Sequence, residues 1–566
     1  MLIVYKYLKN NLKRLKVSHF EKSPITNHQS PFTNHHSQIT ITTLLFILLF
    51  ANSLISQQTL PLNRYLNQSF EKELNKTTST QHSDFKPLIC FPTSPNYDSL
   101  LLYNKKPQHA SYIKRKLFYE NFIIVDTNNF HLTIDPLFNF MFSQEKDNDT
   151  KYYINTRGVN VKGQIGKHLS FQSNFYENQA VFYDYITDFV KKYRIVPGQG
   201  LSKGYKDNGY DYAWVTGLIS YSPSKYFNFQ FGNGKNFIGN GYRSLLLSDN
   251  SFNYPFFKIT TNIWKFQYTN LYTSLIDINA PHTYQGGFQR KYGSFHYLSY
   301  NLCKRLQIGL FESVIWQAAD STGKRGFDIS YLNPIIFYRP VEFSLGSPDN
   351  SLMGANLNFK ISDKTLFYSQ FILDDLDIGK SKLGKGFILN KYGYQLGFKF
   401  FDLFSINNLY FQSEYNRVQP YVYAHKTPMQ NYAHYNQALA HPLGANFKEV
   451  ISILNYRYKN IFVEYKFNYA LYGADTSNSH WGKDIFKSDY DAQLGYPSYD
   501  NAVCQGYETT LMYQNISLSY LFNPKTRMNI SLGYTNRTLI NDAETIKNNY
   551  FYIAFRTSLI NLYNDF

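Results

Sequence analysis

Apolar and polar residues alternate along most of the chain from Phe130 onward. The clearest run is YGYQLGFKF at residues 392–400, where aromatic and aliphatic residues occupy every second position and Gly, Gln or Lys the positions between them. A period of two predicts a β-strand with one apolar and one polar face. The same pattern recurs in residues 226–232, 263–269, 305–310, 461–469 and 528–534.

Turn residues and polar stretches separate these runs. Ser222-Pro223-Ser224, Lys459-Asn460 and the NPKT sequence at residues 523–526 are typical of hairpin turns between antiparallel neighbours. At about 24 residues per strand and connection, the chain after Phe130 holds on the order of 16–18 strands. Longer polar stretches at residues 200–211, 425–448 and 475–505 are expected to form extracellular loops.

Composition decides between a soluble sandwich and a membrane barrel, because both would alternate. The chain contains 52 Tyr and 48 Phe among 566 residues, yet its mean hydropathy is −0.40. A transmembrane barrel presents aromatics to lipid and polar groups to its interior. The fold class expected is therefore all-β: a transmembrane antiparallel up-and-down β-barrel in the outer membrane.

Three regions are expected along the chain. Residues 1–56 form a leader and signal peptide, because the apolar run ITITTLLFILLF is about a dozen residues long and is followed by small residues. Cleavage is expected after Ser56 or, alternatively, after Ser53. Residues 57–129 form a short periplasmic segment, helical or irregular, with helical spacing in NRYLNQSFEKELNK. Residues 130–566 form the barrel.

Charge and cysteine content restrict the partners. Residues 1–38 hold six basic residues and one acidic residue, which leaves 51 basic against 39 acidic residues in the remainder. For a secreted chain, this excess favours lipid headgroups or acidic polysaccharide, and nucleic acid is not expected as a partner. Cys90, Cys303 and Cys504 are too few and too far apart to indicate a disulfide framework or a CxxC metal site.

The last predicted strand suggests a further partner. Alternation in NYFYIAFRTSLINLYNDF predicts an amphipathic strand that ends with the aromatic residue Phe566. Such a strand resembles the signal that outer-membrane assembly machinery recognises, so this machinery is an expected partner.

Several stretches resemble the Wzi-like capsule-assembly family as it occurs in gliding bacteria. The longest is FNFQFGNGKNFIGNGYRSLLLSDNSFNYPFFKITTNIWKFQYTNLY at residues 227–272. The others are at residues 175–180, 196–200, 310–317 and 333–350. The resemblance implies an outer-membrane barrel linked to surface polysaccharide, either anchoring capsule or supporting movement over surfaces. It carries over no catalytic motif.

Ionisable residues within these stretches are the candidate site. If they point inward, they either pair across the lumen and fix loops as a plug, or contact a sugar ligand. They are Arg243, Asp249, Glu312, Arg339, Glu342 and Asp349. Tyrosines in the loops are expected mainly to pack within the loops or the aromatic girdle, with stacking on sugar rings as the alternative role; they are Tyr421, Tyr423, Tyr432 and Tyr435.

Motifs for other chemistry are incomplete. The glycines of residues 232–241 resemble a phosphate-binding loop, but aromatic strands flank them where a helix is required, so a barrel turn or inward-folded loop is expected. SxxK at Ser222 and SDN at Ser248 lack the accompanying KTG. Asp374 and Asp375 are adjacent in a strand, so they face opposite sides and do not form a hydrolytic pair. No catalytic residue, metal site or cofactor is expected.

The resulting hypothesis is a non-enzymatic outer-membrane barrel that binds or organises surface polysaccharide in capsule attachment or gliding. Two alternatives remain: a porin-like diffusion channel, which needs an open lumen, and an outer-membrane hydrolase, which needs a nucleophile and base.

Overall fold

The chain forms a closed antiparallel β-barrel of eighteen strands within the described residues. A computed structural model describes residues 58–90, 109–146, 148–282, 286–320, 323–334, 349–376, 385–475, 479–490, 498–557 and 561–566. The expected all-β transmembrane barrel is confirmed, and its strand number lies at the upper end of the predicted range. The first of the eighteen barrel strands begins at Phe130, where the alternation begins.

Each barrel strand pairs with its neighbours along the chain. The strands are β1 Phe130–Glu145, β2 Asn148–Ile165, β3 Leu169–Val181, β4 Gly209–Tyr221, β5 Phe227–Gly234, β6 Tyr254–Ile263, β7 Phe266–Asp277, β8 Gln289–Asn301, β9 Leu306–Gln317, β10 Asn350–Ser362, β11 Thr365–Asp375, β12 Lys391–Phe401, β13 Leu409–Val418, β14 Phe447–Tyr458, β15 Ile461–Ala474, β16 Tyr507–Asn523, β17 Met528–Asn541 and β18 Thr545–Arg556. In the part of the chain that the structure describes, the α-helices are α1 Arg64–Asn75, α2 Tyr112–Phe118 and α3 Asp184–Tyr193.

The barrel closes where β18 pairs with β1. Their register runs from Tyr550 opposite Glu145 to Arg556 opposite Asn139. The first residues of β1 extend past the end of β18, and there the short strand Ile123–Thr127 pairs with them. Closure leaves no unpaired sheet edge within the membrane, which is the condition for a β-structure to span a bilayer.

Residues that alternate in the sequence face alternately the outside and the inside of the barrel. On β12, Leu396 and Phe398 are about 40% exposed on the outer face, at 42% and 40%. Between them, Gln395, Gly397 and Lys399 are buried and face the interior. The apolar face therefore meets lipid and the polar face lines the lumen, as predicted. This arrangement places the protein in the outer membrane.

Connections differ between the two ends of the barrel. At one end, which we call the turn end, the strands are joined by short turns such as residues 222–226, 459–460 and 524–527. At the other, the loop end, long connections follow Val181, Val418 and Ala474, and the one after Val418 folds back into the barrel. Short turns face the periplasm in outer-membrane barrels and long loops face the exterior.

One run that the sequence presents as a single strand contains a turn. Residues 263–269 alternate throughout, but β6 ends at Ile263 and β7 begins at Phe266. Trp264 has a φ of 55° and is 78% exposed in the two-residue connection. A two-residue hairpin turn needs positive φ and interrupts a strand without interrupting its alternating composition.

The interior of the barrel is filled by segments that we together call the plug: residues 58–90, 235–253, 419–446 and 561–566. Its apolar part packs against inward-facing strand residues such as Leu271, Phe295 and Leu352. Residues Leu245, Leu246 and Leu247 of the plug are fully buried there. The glycine-rich stretch at residues 232–241 is accordingly an inward-folded loop, and Phe237–Ile238 pairs with Phe85–Lys86 inside the plug.

Helix α1 lies inside the turn end of the barrel. Lys72 forms a 2.7 Å ion pair with Asp402 in the turn after β12, and Lys399 on β12 forms a 2.6 Å ion pair with Glu71. The helix confirms the helical spacing of residues 63–76. The segment expected to be periplasmic thus contributes residues 58–90 to the barrel interior.

The last strand is shorter than expected. β18 ends at Arg556, and its outer face carries Phe551, Ile553 and Phe555. The prediction that the strand continues to Phe566 is wrong, because residues 561–566 fold into the lumen. There the ring of Phe566 lies 4.9 Å from that of Phe189 in α3. The assembly machinery as a partner remains a prediction.

None of the helices in the described residues is long and apolar enough to cross a membrane.

Candidate functional site

Arg243 lies at the centre of a buried group of charges inside the barrel. Its Nη2 is 3.2 Å from Glu449 Oε1 on β14 and 3.0 Å from Asp565 Oδ1 in the plug. Lys466 on β15 completes the group with a 3.0 Å ion pair to Asp565. Together with Glu414 on β13, these residues form what we call the central cluster. Two plug segments and three strands meet there.

Backbone contacts fix the position of Arg243. The backbone N–H groups of Tyr242 and Arg243 donate to the two carboxylate oxygens of Glu414 at 2.7 and 3.1 Å. Gly241 permits this approach, because an added Cβ would overlap the backbone oxygen of Arg243 and lie 2.7 Å from Gln395 Oε1. Only glycine fits here without displacing the wall of the barrel.

Electrostatics keep the plug members of the central cluster charged. Burial alone would lower the pKa of Arg243, but the carboxylates of Asp565 and Glu449 raise it above its usual value. Burial would raise the pKa of Asp565, but Arg243 and Lys466 hold it well below the usual range. His441, whose Nε2 lies 2.6 Å from Glu449, has a pKa lowered by burial. These pairs offset the desolvation that burial imposes on each charge.

Asp249 joins two plug segments. Its carboxylate accepts a hydrogen bond from the hydroxyl of Tyr563 at 2.6 Å and from the side-chain amide of Asn561 at 2.9 Å. Both donors lie beyond the last strand, whereas Asp249 belongs to residues 235–253. The contact holds the segment 561–566 inside the lumen.

Asp349 belongs to a separate group at the loop end. Arg325 pairs with it at 2.7 Å, and the hydroxyl of Tyr331 donates to it at 2.6 Å. Gln430 of the plug donates to the same carboxylate at 3.2 Å. Asp349 therefore connects the start of β10 to the plug and to the connection that follows β9.

Glu312 does not face the lumen. Gln307 on the same strand contacts His82 of the plug, so odd-numbered positions there face inward and Glu312 lies on the outer face. It is fully buried and stands opposite His296 of β8. On this outer surface, Tyr331 and Phe327 pack over Trp316. Arg339 and Glu342 lie outside the described residues.

The loop tyrosines have the packing role that the sequence favours over sugar stacking, although Tyr435 is only partly buried. Tyr423 and Tyr432 are fully buried, and their hydroxyls donate to the backbone oxygens of Leu245 and Leu246 at 2.8 and 2.6 Å. Tyr421 is buried beside His480. Residues 419–446 look polar and loop-like in sequence, but they fold inward and cover their aromatic rings.

Sequence reasoning found Arg243 but missed its partners. Glu414, Glu449 and Lys466 each stand at an inward-facing position of an alternating strand, and that periodicity was the available signal. Asp565 has no such periodicity to reveal it, because it lies beyond the last strand in a segment where the sequence predicts a continuing strand.

An exposed aromatic group lies on the loop end. Tyr490 is 65% exposed, and Lys426 Nζ lies 4.9 Å from the centroid of its ring. Nearby in the sequence, Tyr499 is 41% exposed and packs against Phe387. In residues 182–208, five exposed basic residues accompany three exposed acidic ones. This surface offers flat rings and positive charge to solvent.

The central cluster offers hydrogen bonds and charge, and the loop end adds exposed aromatic rings. No group of three or more His, Cys, Asp or Glu residues in the described ranges is placed to hold a metal ion. Asp374 faces inward and accepts from the backbone N–H of Tyr423 at 2.6 Å.

Comparison with known proteins gives similar barrels of low identity. No protein-family model matches the chain, and no curated protein matches it. Wzi of Escherichia coli, an outer-membrane protein involved in group 1 capsule assembly and a carbohydrate-binding β-barrel, is 14% identical with a TM-score of 0.48, covering 90% of this chain and all of Wzi. OprD of Pseudomonas aeruginosa is 10% identical with a TM-score of 0.40, covering 76% of this chain and 96% of OprD. OccAB2 of Acinetobacter baumannii is 11% identical with a TM-score of 0.39, covering 75% and 97%.

Proposed function

We propose that this chain is a non-enzymatic outer-membrane barrel that binds acidic cell-surface polysaccharide at its loop end. The observation that carries the proposal is the filled lumen. Arg243, Glu449 and Asp565 are fully buried and paired with one another, so they hold the plug in place rather than offering a ligand a free contact. A ligand on the outside of the cell then meets the loop end.

The loop end has the chemistry that an acidic glycan requires. Tyrosine rings stack on the apolar faces of sugars, and lysines attract their carboxylates. Tyr490 with Lys426 supplies both at one exposed place. The excess of basic residues in the chain after residue 38 favours the same class of partner.

Retention on immobilised polygalacturonate tests this proposal. The purified barrel in detergent is expected to be retained, and retention is expected to fall as salt rises, because exposed charges are screened. Tyr490→Ala and Lys426→Gln are each expected to weaken retention, whereas Arg290→Gln, an exposed charge change elsewhere at the loop end, is the control. Retention no greater than that of an unrelated porin would contradict the proposal.

The cellular role that we propose is capsule attachment or support of gliding. The stretches at residues 227–272 and 333–350 resemble the gliding-motility protein RemB as well as the Wzi-like family. Deleting the gene and measuring both retained capsule and spreading over agar separates the two roles.

The plug also distinguishes this proposal from a diffusion channel. A filled lumen is expected to conduct poorly in a planar bilayer, and steady conductance of porin size would favour the channel instead.

A further inference from the structure

A cavity of about 380 Å³ lies inside the barrel, between the turn end and the inward-folded start of α3. Helix α1 and residues 561–564 form one side of it, and the inner wall from β12 through β18 forms the other. Cavities of 300–1,000 Å³ are the usual size of small-molecule sites. The turn residues Asp402 and Arg527 are among its lining, so the cavity reaches the periplasmic end of the barrel.

The lining of this cavity is strongly basic. Six basic and two acidic side chains line it: Arg64, Lys72, Arg457, Lys466, Arg527, Arg556, Asp402 and Glu464. Each of the six basic residues is half-buried, so water and ligands reach it while its field is screened less than at an open surface.

Carboxylates neutralise only part of this lining, and one of them is Asp565 of the central cluster, which pairs with Lys466 at 3.0 Å. Asp402 pairs with Lys72 at 2.7 Å, and Glu464 accepts from the hydroxyl of Tyr65 at 2.6 Å. Arg64 lies 3.8 Å from the ring centroid of Tyr242 and interacts electrostatically with Glu464. Its Nη1 atom is buried, without a hydrogen-bond partner among the described residues. Arg556 is half-buried and donates to the hydroxyl of Ser531 at 3.2 Å, so it is the arginine positioned to accept an anionic group.

Rings and amides complete the lining. The aromatic residues include Tyr183, Tyr185, Tyr410, Tyr513 and Tyr552. The amides are those of Asn63, Asn139, Asn408, Asn455, Asn515, Asn529, Asn561 and Asn564. Rings pack against the carbon faces of sugars, amides bond to their hydroxyls, and arginine forks bond to carboxylates.

We propose that this cavity is a second binding site, which takes a short carboxylate-bearing saccharide from the periplasmic side. Arg556 holds the carboxylate, and the tyrosines and asparagines hold the rings. The site goes beyond the proposed function, which places a polymer on the outer loops. A barrel with both sites contacts acidic glycan on either side of the membrane without an open channel between them.

Isothermal titration of the full barrel in detergent with digalacturonate tests the site. Saturable binding is expected, and maltose is expected to bind at least ten-fold more weakly because it lacks the carboxylates. Arg556→Gln is expected to weaken digalacturonate binding about ten-fold, the loss of one charge-assisted pair. Arg290→Gln at the loop end is the matched control and is expected to leave it unchanged.

Each contrary result has a defined meaning. Heat-dependent migration in detergent gels confirms that the variant is folded; if Arg556→Gln does not fold, Arg556→Lys with the charge kept but the fork lost takes its place. Equal binding by wild type and folded variant overturns the assignment, and so does binding of inorganic phosphate as tight as that of digalacturonate. If digalacturonate does not bind while polygalacturonate is still retained, this site is wrong and the loop-end proposal stands; the converse removes only the loop-end proposal.

Discussion

The central cluster and the turn-end cavity contain the same kinds of residue in different states. Arg243 is fully buried, and two carboxylates lie within 3.2 Å of its Nη2. Arg556, on the neighbouring inner wall, is half-buried and donates to the hydroxyl of Ser531. An arginine that is buried with carboxylate partners stabilises the structure, whereas a half-buried arginine without a carboxylate partner is available to a ligand. Residue type alone therefore does not distinguish a structural ion pair from a binding site.

The largest effect is expected for Arg243→Met. Removing the cation leaves Glu449 and Asp565 buried near each other with less compensation, which costs about 3–5 kcal/mol. This free energy is lost from the docking of the plug, so steady conductance in a planar bilayer is expected to appear. Heat-dependent migration in detergent gels is expected to show that the barrel wall is still folded. Arg290→Met serves as the control, and an unchanged conductance would show that the central cluster does not hold the plug.

Acid is expected to loosen the plug through His82. Its ring nitrogens lie 2.8 Å from Ser299 Oγ and 3.2 Å from Asn301 Nδ2, and burial lowers its pKa from 6.5 to about 4. In an undocked plug His82 takes up a proton near pH 6.5, whereas in the docked plug it does so only near pH 4. Docking is therefore strongest above pH 6.5. Up to about 3 kcal/mol of the free energy of docking is lost as the pH falls from 6.5 toward 4.

Conductance between pH 7.5 and 4.5 measures this loss. The difference between wild type and His82→Gln isolates the contribution of His82, because other titrating groups are common to both. Identical pH profiles would show that His82 does not control docking.

A smaller effect is expected where the central cluster depends on packing. An added Cβ at Gly397 on β12 would overlap the ring of Tyr368, whose hydroxyl donates to Glu414 at 3.0 Å. Gly397→Ala is expected to cost about 1–3 kcal/mol, the usual range for overpacking. The midpoint of urea unfolding measures it. Gly217→Ala is the matched control, since nothing lies within 4 Å of its Cβ position.

The smallest effect on stability is expected at the cavity. Arg556→Gln keeps a side chain that forms hydrogen bonds, and within the described residues it breaks no ion pair. The free energy of unfolding in urea is therefore expected to change by less than about 0.5 kcal/mol. A loss of stability as large as that caused by Arg243→Met would show that Arg556 is a structural residue like Arg243.

Much of the barrel wall could be predicted from sequence, because lipid and lumen impose opposite requirements on alternate residues. Leu396 and Phe398 against Gln395 and Lys399 show this directly. The pattern failed where backbone conformation overrides composition, as at Trp264, whose positive φ turns the chain within an unbroken alternation.

The candidate site was less accessible to sequence reasoning. Arg243 and Asp249 are found from the sequence because they lie in stretches that resemble a known family. Glu312 lies in such a stretch too, but its side chain is on the outer face of the barrel. Arg339 and Glu342 are outside the described residues. For Tyr423 and Tyr432 the sequence leaves both packing and sugar stacking open, because a polar loop gives no sign of which way it folds.

By itself, the sequence determined the closed sheet, its lipid-facing side and the helix at residues 64–75, since these follow from periodicities of two and 3.6 along neighbouring residues. Only the tertiary structure decided that residues 58–90, 235–253, 419–446 and 561–566 fill the lumen, and that Arg243 meets an aspartate more than three hundred residues away. The reason is physical: an ion pair across a barrel depends on which segments enter the same space, and no local periodicity records that meeting.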